Sequence, residues 1–208
     1  MKKIILLIIL FLPFAGFTQT FNGGILAGGL VSQIDGDTWV GYHKFGYLAG
    51  GFVSLRLSPH SSFQLEMEYI QKGSKHIPDP ENSSDQLYLF RLHYLEIPLL
   101  YQFSFGNRFA VETGPAMDVL LGYLEEQDGI ENPPTEPVRP VTLSGILGAS
   151  VYITGHLKAN FRFNYSLISL RNSSAPYPAS YRKILFEYGQ YNNLLSLSLS
   201  WNFKPRDN

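Results

Sequence analysis

The sequence predicts an all-β fold, an eight-stranded antiparallel transmembrane β-barrel wound as an up-and-down meander. Three observations carry this. Large apolar and small or polar residues alternate with period two along the chain after residue 20, as in strands whose two faces meet different surroundings. The connections between these runs alternate long, short, long, short, as in a barrel with tight turns on one side of a membrane and long loops on the other. Aromatic residues gather at both ends of the runs, where interfacial belts belong.

The first 19 residues read as a signal peptide, leaving 20–208 for the barrel. Lys2 and Lys3 form a positive start, Ile4 to Leu12 an apolar core, and Pro13 and Gly16 break it before a cut near Thr18 or Gln19. The apolar run is too short to span a bilayer. Export of a barrel-forming chain implies the cell outer membrane, and an even strand number puts both termini on the periplasmic side.

After a weaker first strand, GGILAGGLVS, each run obeys one parity rule. FGYLAGGFVSLRL sets Phe45, Tyr47, Ala49, Val53, Leu55 and Leu57 against Gly46, Gly50, Ser54 and Arg56. FQLEMEYIQK sets Phe63, Leu65, Met67 and Tyr69 against Gln64, Glu66, Glu68 and Lys72. HYLEIPLLYQF sets Leu95, Ile97, Leu99, Tyr101 and Phe103 against Tyr94, Glu96 and Gln102. FAVETGPAMDVLLG sets Phe109, Val111, Met117 and Val119 against Ala110, Glu112, Gly114 and Asp118. VTLSGILGASVYI sets Val141, Leu143, Leu147, Val151 and Ile153 against Thr142, Ser144, Gly148 and Ser150. LKANFRFNYSL sets Leu157, Phe161, Phe163 and Tyr165 against Lys158, Asn160, Arg162 and Asn164. LLSLSLSWNF closes the series, with Leu195, Leu197, Leu199, Trp201 and Phe203 on odd positions and serines between them.

A soluble sandwich would bury the odd face. The even face argues otherwise, being Ser, Gly, Asn and Ala with a few charges rather than the Lys/Glu/Thr surface of a water-exposed sheet. The odd residues therefore face lipid, and closure of the barrel leaves no unpaired edge there. Phe63, Tyr101, Phe103, Phe109, Trp201 and Phe203 form one belt, and Phe45, Tyr47, Tyr69, Tyr123 and Tyr165 the other. Matching parity across each hairpin demands an odd number of turn residues. Turns at 58–62, 105–107 and 154–156 satisfy this. In that register Arg56 faces Gln64, Arg162 faces Gly148, and Pro98 lies opposite Gly114, beside Pro115. Each proline lacks a ladder donor and should mark a bulge or a gap in pairing.

Composition narrows the function classes. Only 16% of residues are charged and the net charge is −1, which excludes nucleic acid as the main partner. Cysteine is absent, which removes disulfides, thiolate chemistry and the lipidated cysteine of a bacterial lipoprotein.

The segment Tyr94-Leu95-Glu96-Ile97-Pro98-Leu99-Leu100, preceded by Gln71-Lys72-Gly73 and followed by Glu112-Thr113-Gly114-Pro115, resembles the PorT-like outer-membrane β-barrel domain family. The resemblance covers about residues 21–203. It implies a small porin-like outer-membrane barrel of Gram-negative bacteria, of the OmpA and OmpX type. For the family's namesake it implies a place in a protein secretion system. It carries no catalytic set.

Inward charges form the candidate site: Arg56, Glu66, Glu68, Glu96, Glu112, Asp118, Lys158 and Arg162. Eight strands leave an interior that side chains can fill, so these residues are expected to make a structural lumen network rather than line a conduit. Glu66 and Glu68 share a face because strands alternate, which is no sign of acid–base catalysis. His43, His60, His76, His93 and His156 have no spacing that makes a nucleophile or metal site. No catalytic, cofactor or metal site is expected.

Two loops stand out. Residues 125–140 are acidic and proline-rich and should stand away from the membrane, whereas 171–191 carries enough aromatic and aliphatic residues for a contact surface or a lid. The reading is of a non-enzymatic scaffold or subunit of an outer-membrane complex. It would meet lipid through its wall and outer-membrane or periplasmic partners through loops 124–140 and 171–191. A narrow porin-like channel for small solutes and a lipid-modifying enzyme are the alternatives.

Overall fold

Each run of alternating residues forms a strand. The computed structural model describes residues 21–78, 81, 86–131, 136–171, 178, 180–184 and 187–205; the expected signal peptide lies outside these. Eleven strands are found among the described residues: β1 (Phe21–Asp35), β2 (Lys44–Arg56), β3 (Ser61–His76), β4 (Tyr88–Phe105), β5 (Phe109–Gln127), β6 (Ile130–Glu131), β7 (Val141–Tyr152), β8 (Leu157–Ser166), β9 (Arg182–Ile184), β10 (Glu187–Gly189) and β11 (Tyr191–Asn202). Eight of them, in the order β4-β3-β2-β1-β11-β8-β7-β5, form the wall, and a β4–β5 pairing closes it. Every wall contact is antiparallel. Closure satisfies each strand on both edges, which hydrocarbon demands because it offers no hydrogen bonds.

Parity sorts the two faces. On β11, Leu197, Leu199 and Trp201 are exposed while Ser196, Ser198 and Ser200 are buried. The outward aromatics pair up in two belts, with Phe63 edge-on to Tyr101 and Trp201 stacked on His156 at one end. At the other end Tyr47 lies beside Tyr69. The rule fails at one place. A bulge on β5 places His93 opposite Gly122 but Tyr94 opposite Leu120, with Leu121 as the extra residue. Beyond it the faces exchange, and the Tyr123 ring, expected in the outer belt, stays 39% exposed while lying edge-on to the buried Phe90.

Two short turns differ from expectation by two residues of register. Phe105 pairs with Phe109, so the turn is 106–108 rather than 105–107, with Gly106 at φ 60°. Glycine takes this left-handed conformation without a steric penalty. Arg56 pairs with Ser62 rather than Gln64, and Pro98 pairs with Ala116 rather than Gly114. The third turn has the expected register, with Tyr152 opposite Lys158 and Arg162 opposite Gly148. The prolines do interrupt the ladders. The β3–β4 pairing skips Glu66 and Met67 against Ile97 and Pro98. The β4–β5 pairing skips Leu99 and Leu100 against Gly114 and Pro115.

The interior is not the small polar face the alternation suggests. Leu30, Ile34, Leu48, Ile70, Phe90, Leu92, Tyr94 and Leu194 form a buried apolar cluster toward the long loops, continued down one wall by Leu26 and Phe52. Val138 and Leu170 join it from the connections. The 125–140 segment therefore does not simply stand away from the barrel. The Arg139 N–H donates to the Leu170 carbonyl (2.7 Å), and the Leu170 N–H to that of Gln190 (2.8 Å), drawing both long connections across the mouth. The apolar side chains gathered there remove their own surface from water.

Candidate functional site in the barrel lumen

Below the apolar layer, buried charges meet in two groups. Glu68 on β3, Glu96 on β4 and Asp118 on β5 stand in direct cross-strand register. Three neighbouring carboxylates require a cation. Lys72, four residues along β3 and therefore on the same face, supplies it. Its ammonium donates to Glu96 and, at 2.8 Å, to Asp118 Oδ1. Asn164 Nδ2 from β8 donates to both Glu96 oxygens at 3.0 and 3.1 Å. Lys72 has no solvent exposure, and its nitrogen lies 5.6 Å from the Tyr94 ring centre.

The second group lies nearer the short turns. Arg162 leaves β8 and crosses the lumen to Glu66 on β3, with Nη1 to Oε2 at 2.7 Å and Nη2 to Oε1 at 2.6 Å. Its Nε donates to Glu112 Oε1 at 2.5 Å. The fork geometry of the guanidinium fits one carboxylate in two-pronged fashion and leaves Nε for another. Gly148, between Arg162 and Glu112 in the sheet, makes the room; a Cβ there would lie 3.0 Å from Arg162 Cγ and from Glu112 Cγ. Gln64 Nε2 donates to Glu66 at 2.5 Å and Gln102 Nε2 to Glu112 Oε2 at 2.8 Å.

The structure thus joins Glu66, Glu96, Glu112, Asp118 and Arg162 in ion pairs and buries Glu68 beside Glu96. It places two of the candidates elsewhere. Lys158 is buried but no ion pair to it occurs among the described residues. Arg56 is exposed at the short-turn mouth, its Nε donating to the Ser58 carbonyl at 3.4 Å. Sequence reasoning left out Lys72, although parity had already put it on the inward face.

The long-loop mouth is tied by a third set. Arg171 pairs with Glu125 and lies 4.8 Å from the Phe90 ring centre. The Tyr88 hydroxyl donates to Glu125 (2.7 Å), Tyr181 to Glu136 (3.0 Å), and Arg139 pairs with Glu187 at 3.0 Å. In the β1–β2 loop Asp37 caps the Trp39 N–H at 2.9 Å and its other oxygen is buried. Burial raises its carboxyl to about 6; interaction with the Ser74 hydroxyl and the Trp39 hydrogen bond oppose this, and the charge of Asp35 reinforces it.

This arrangement is a filled barrel, with cross-lumen ion pairs under an apolar seal. Comparison with known proteins agrees with the architecture. Neisserial surface protein A superposes with a TM-score of 0.53 at 13% identity, covering 90% of this chain and 100% of that one. The attachment invasion locus protein Ail of Yersinia pestis superposes with a TM-score of 0.50 at 10% identity, covering 88% of this chain and 98% of that one. At these identities the likeness is one of fold. Curated protein sequences yield no match. The model of the outer membrane protein beta-barrel domain family matches residues 15–172, and the chain belongs to that family.

Proposed function

We propose that this protein is a non-enzymatic integral outer-membrane scaffold, a PorT-like subunit of a complex that exports or assembles proteins. The observation that carries this reading is the filled lumen. A solute crossing the lumen would have to part Arg162 from Glu66 and pass the apolar cluster above it, which favours the wall and the loops as working surfaces. The loops suited to contact are the tied connections around Glu136–Arg171 and the β9–β10 hairpin. The termini then lie on the periplasmic side, beside the short turns, after removal of residues 1–19 as a signal peptide.

Affinity isolation from native outer membranes tests the proposal. A stoichiometric outer-membrane or periplasmic partner is expected, and its loss on deletion of the β9–β10 hairpin would place the contact. Planar-bilayer recording supplies the opposing result. Steady single-channel conductance would replace the scaffold with a narrow pore.

A further inference from the structure

The short-turn end of the lumen opens into a cavity of about 300 Å³. Its lining contains Lys158, Arg56, Lys204 and His60, with amide and hydroxyl donors such as Asn202 between them, and no carboxylate among the described residues. Arg56, Lys204 and His60 are exposed on the rim. Lys158 is different. It is 2% exposed and faces the cavity from its inner side.

Its ammonium has the Tyr152 ring, 5.8 Å from nitrogen to ring centre, as its neighbour. No carboxylate pairs with it among the described residues. Glu112, the acid facing this part of the lumen, already accepts from Arg162 at 2.5 Å and from Gln102 at 2.8 Å. Elsewhere in this lumen buried cations are neutralised, Lys72 by two carboxylates and Arg162 by two. Arg162 is shared between Glu66 and Glu112, and Lys158, which acts electrostatically on Glu112, balances that set; its ammonium still faces the cavity, where the charged groups of the described lining are all cationic.

We propose that the short-turn mouth binds a small oxyanion of the phosphate class, with Lys158 as the inner ligand and Arg56 and Lys204 closing over it from the rim. A phosphate has several acceptor oxygens for these charge-assisted donors. The cavity is large enough to take it together with part of an ester to which it is attached. The same chemistry could reach the site as free phosphate or as the headgroup of a phosphate monoester lipid. This inference does not depend on the scaffold reading.

The test uses the protein refolded in maltoside micelles, which contain no phosphate. Inorganic phosphate is titrated at constant ionic strength and followed by phosphorus NMR line width, and a short-chain phosphatidic acid is titrated in parallel. Saturable broadening is expected, with affinity lowered about tenfold in Lys158→Met, which keeps the buried stem. Arg56→Gln, on the exposed rim, should weaken binding several-fold even if the buried substitution prevents folding. Equal binding of both probes identifies the free ion as the source, and tighter binding of the lipid identifies the headgroup. No saturable broadening with either probe, or binding unchanged in both variants, overturns the proposal.

Discussion

Arg162 and Glu66 meet across the lumen from strands that are not neighbours in the wall, joined by two hydrogen bonds of 2.6 and 2.7 Å. Each strand contributes an even-numbered residue, so both point inward by the alternation of strand side chains alone. Closure of the sheet brings them together. The guanidinium also holds Glu112, so one side chain ties three strands.

Removing that side chain leaves two buried carboxylates. Arg162→Ala should therefore lower unfolding stability by about 3–5 kcal/mol, as for a broken buried ion pair. Urea titration in micelles, read by the heat-modifiable mobility shift of folded barrels, checks this. An unchanged midpoint would mean the lumen charges are independent of one another.

Leu197 tests the outward face. It is 62% exposed, midway along β11, opposite Phe161 and Gly29. If lipid covers it, Leu197→Arg should cost about 2–4 kcal/mol in a bilayer. Refolding into phospholipid vesicles at graded urea measures the loss. A water-wetted wall would show almost none.

Gly114 sits where the β4–β5 ladder is broken. A Cβ there would lie 2.0 Å from the Leu99 carbonyl oxygen, which cannot swing aside like a side chain. Gly114→Ala should destabilise by about 1–3 kcal/mol. Gly122→Ala, on the same strand, would meet nothing within 4 Å and should leave the melting temperature nearly unchanged. Thermal melts of the two variants side by side separate close packing from a general intolerance of β5.

Asp37 gives a pH signature. Its carboxyl is raised by burial from 3.8 to about 6, so the folded state binds the proton more tightly than the unfolded chain. Its unfavourable contribution is absent below pH 3.8, grows as pH rises, and is complete above pH 6. A displacement of that size is worth about 3 kcal/mol, and partial solvent access reduces it to about 1–2 kcal/mol. Asp37→Asn keeps an oxygen for the Trp39 N–H and should stabilise the protein by that amount at pH 7.5 and not at pH 3.5. Equal gains at both values would locate the effect in packing instead.

The register errors show where sequence reasoning ends. Reading a turn at 105–107 in place of 106–108 moves the β4–β5 pairing by two residues. A slip of two keeps every side chain on its own face, so the alternation looks identical either way. It does change which residues are level. In the β2–β3 hairpin a like slip sets Arg56 against Ser62 at the mouth instead of Gln64, and in β4–β5 it makes Glu96 level with Asp118, where Lys72 reaches both. The apolar seal was hidden for a related reason. Leu48 and Phe52 on β2 are apolar residues on the inward face, and beside the odd-numbered apolar residues they blur the alternation rather than announce a second core.

Alone, the amino-acid order determined the number of wall strands, the alternation of turns and loops, and the face of nearly every wall residue, because side-chain direction along a strand is a local property with period two. Tertiary structure decided which charges pair across the lumen, where the bulge at Leu121 exchanges the faces, and how the long connections seal the mouth. Those relations exist only once the first strand has closed on the last, since closure sets the height of each strand against the others and no local pattern records it.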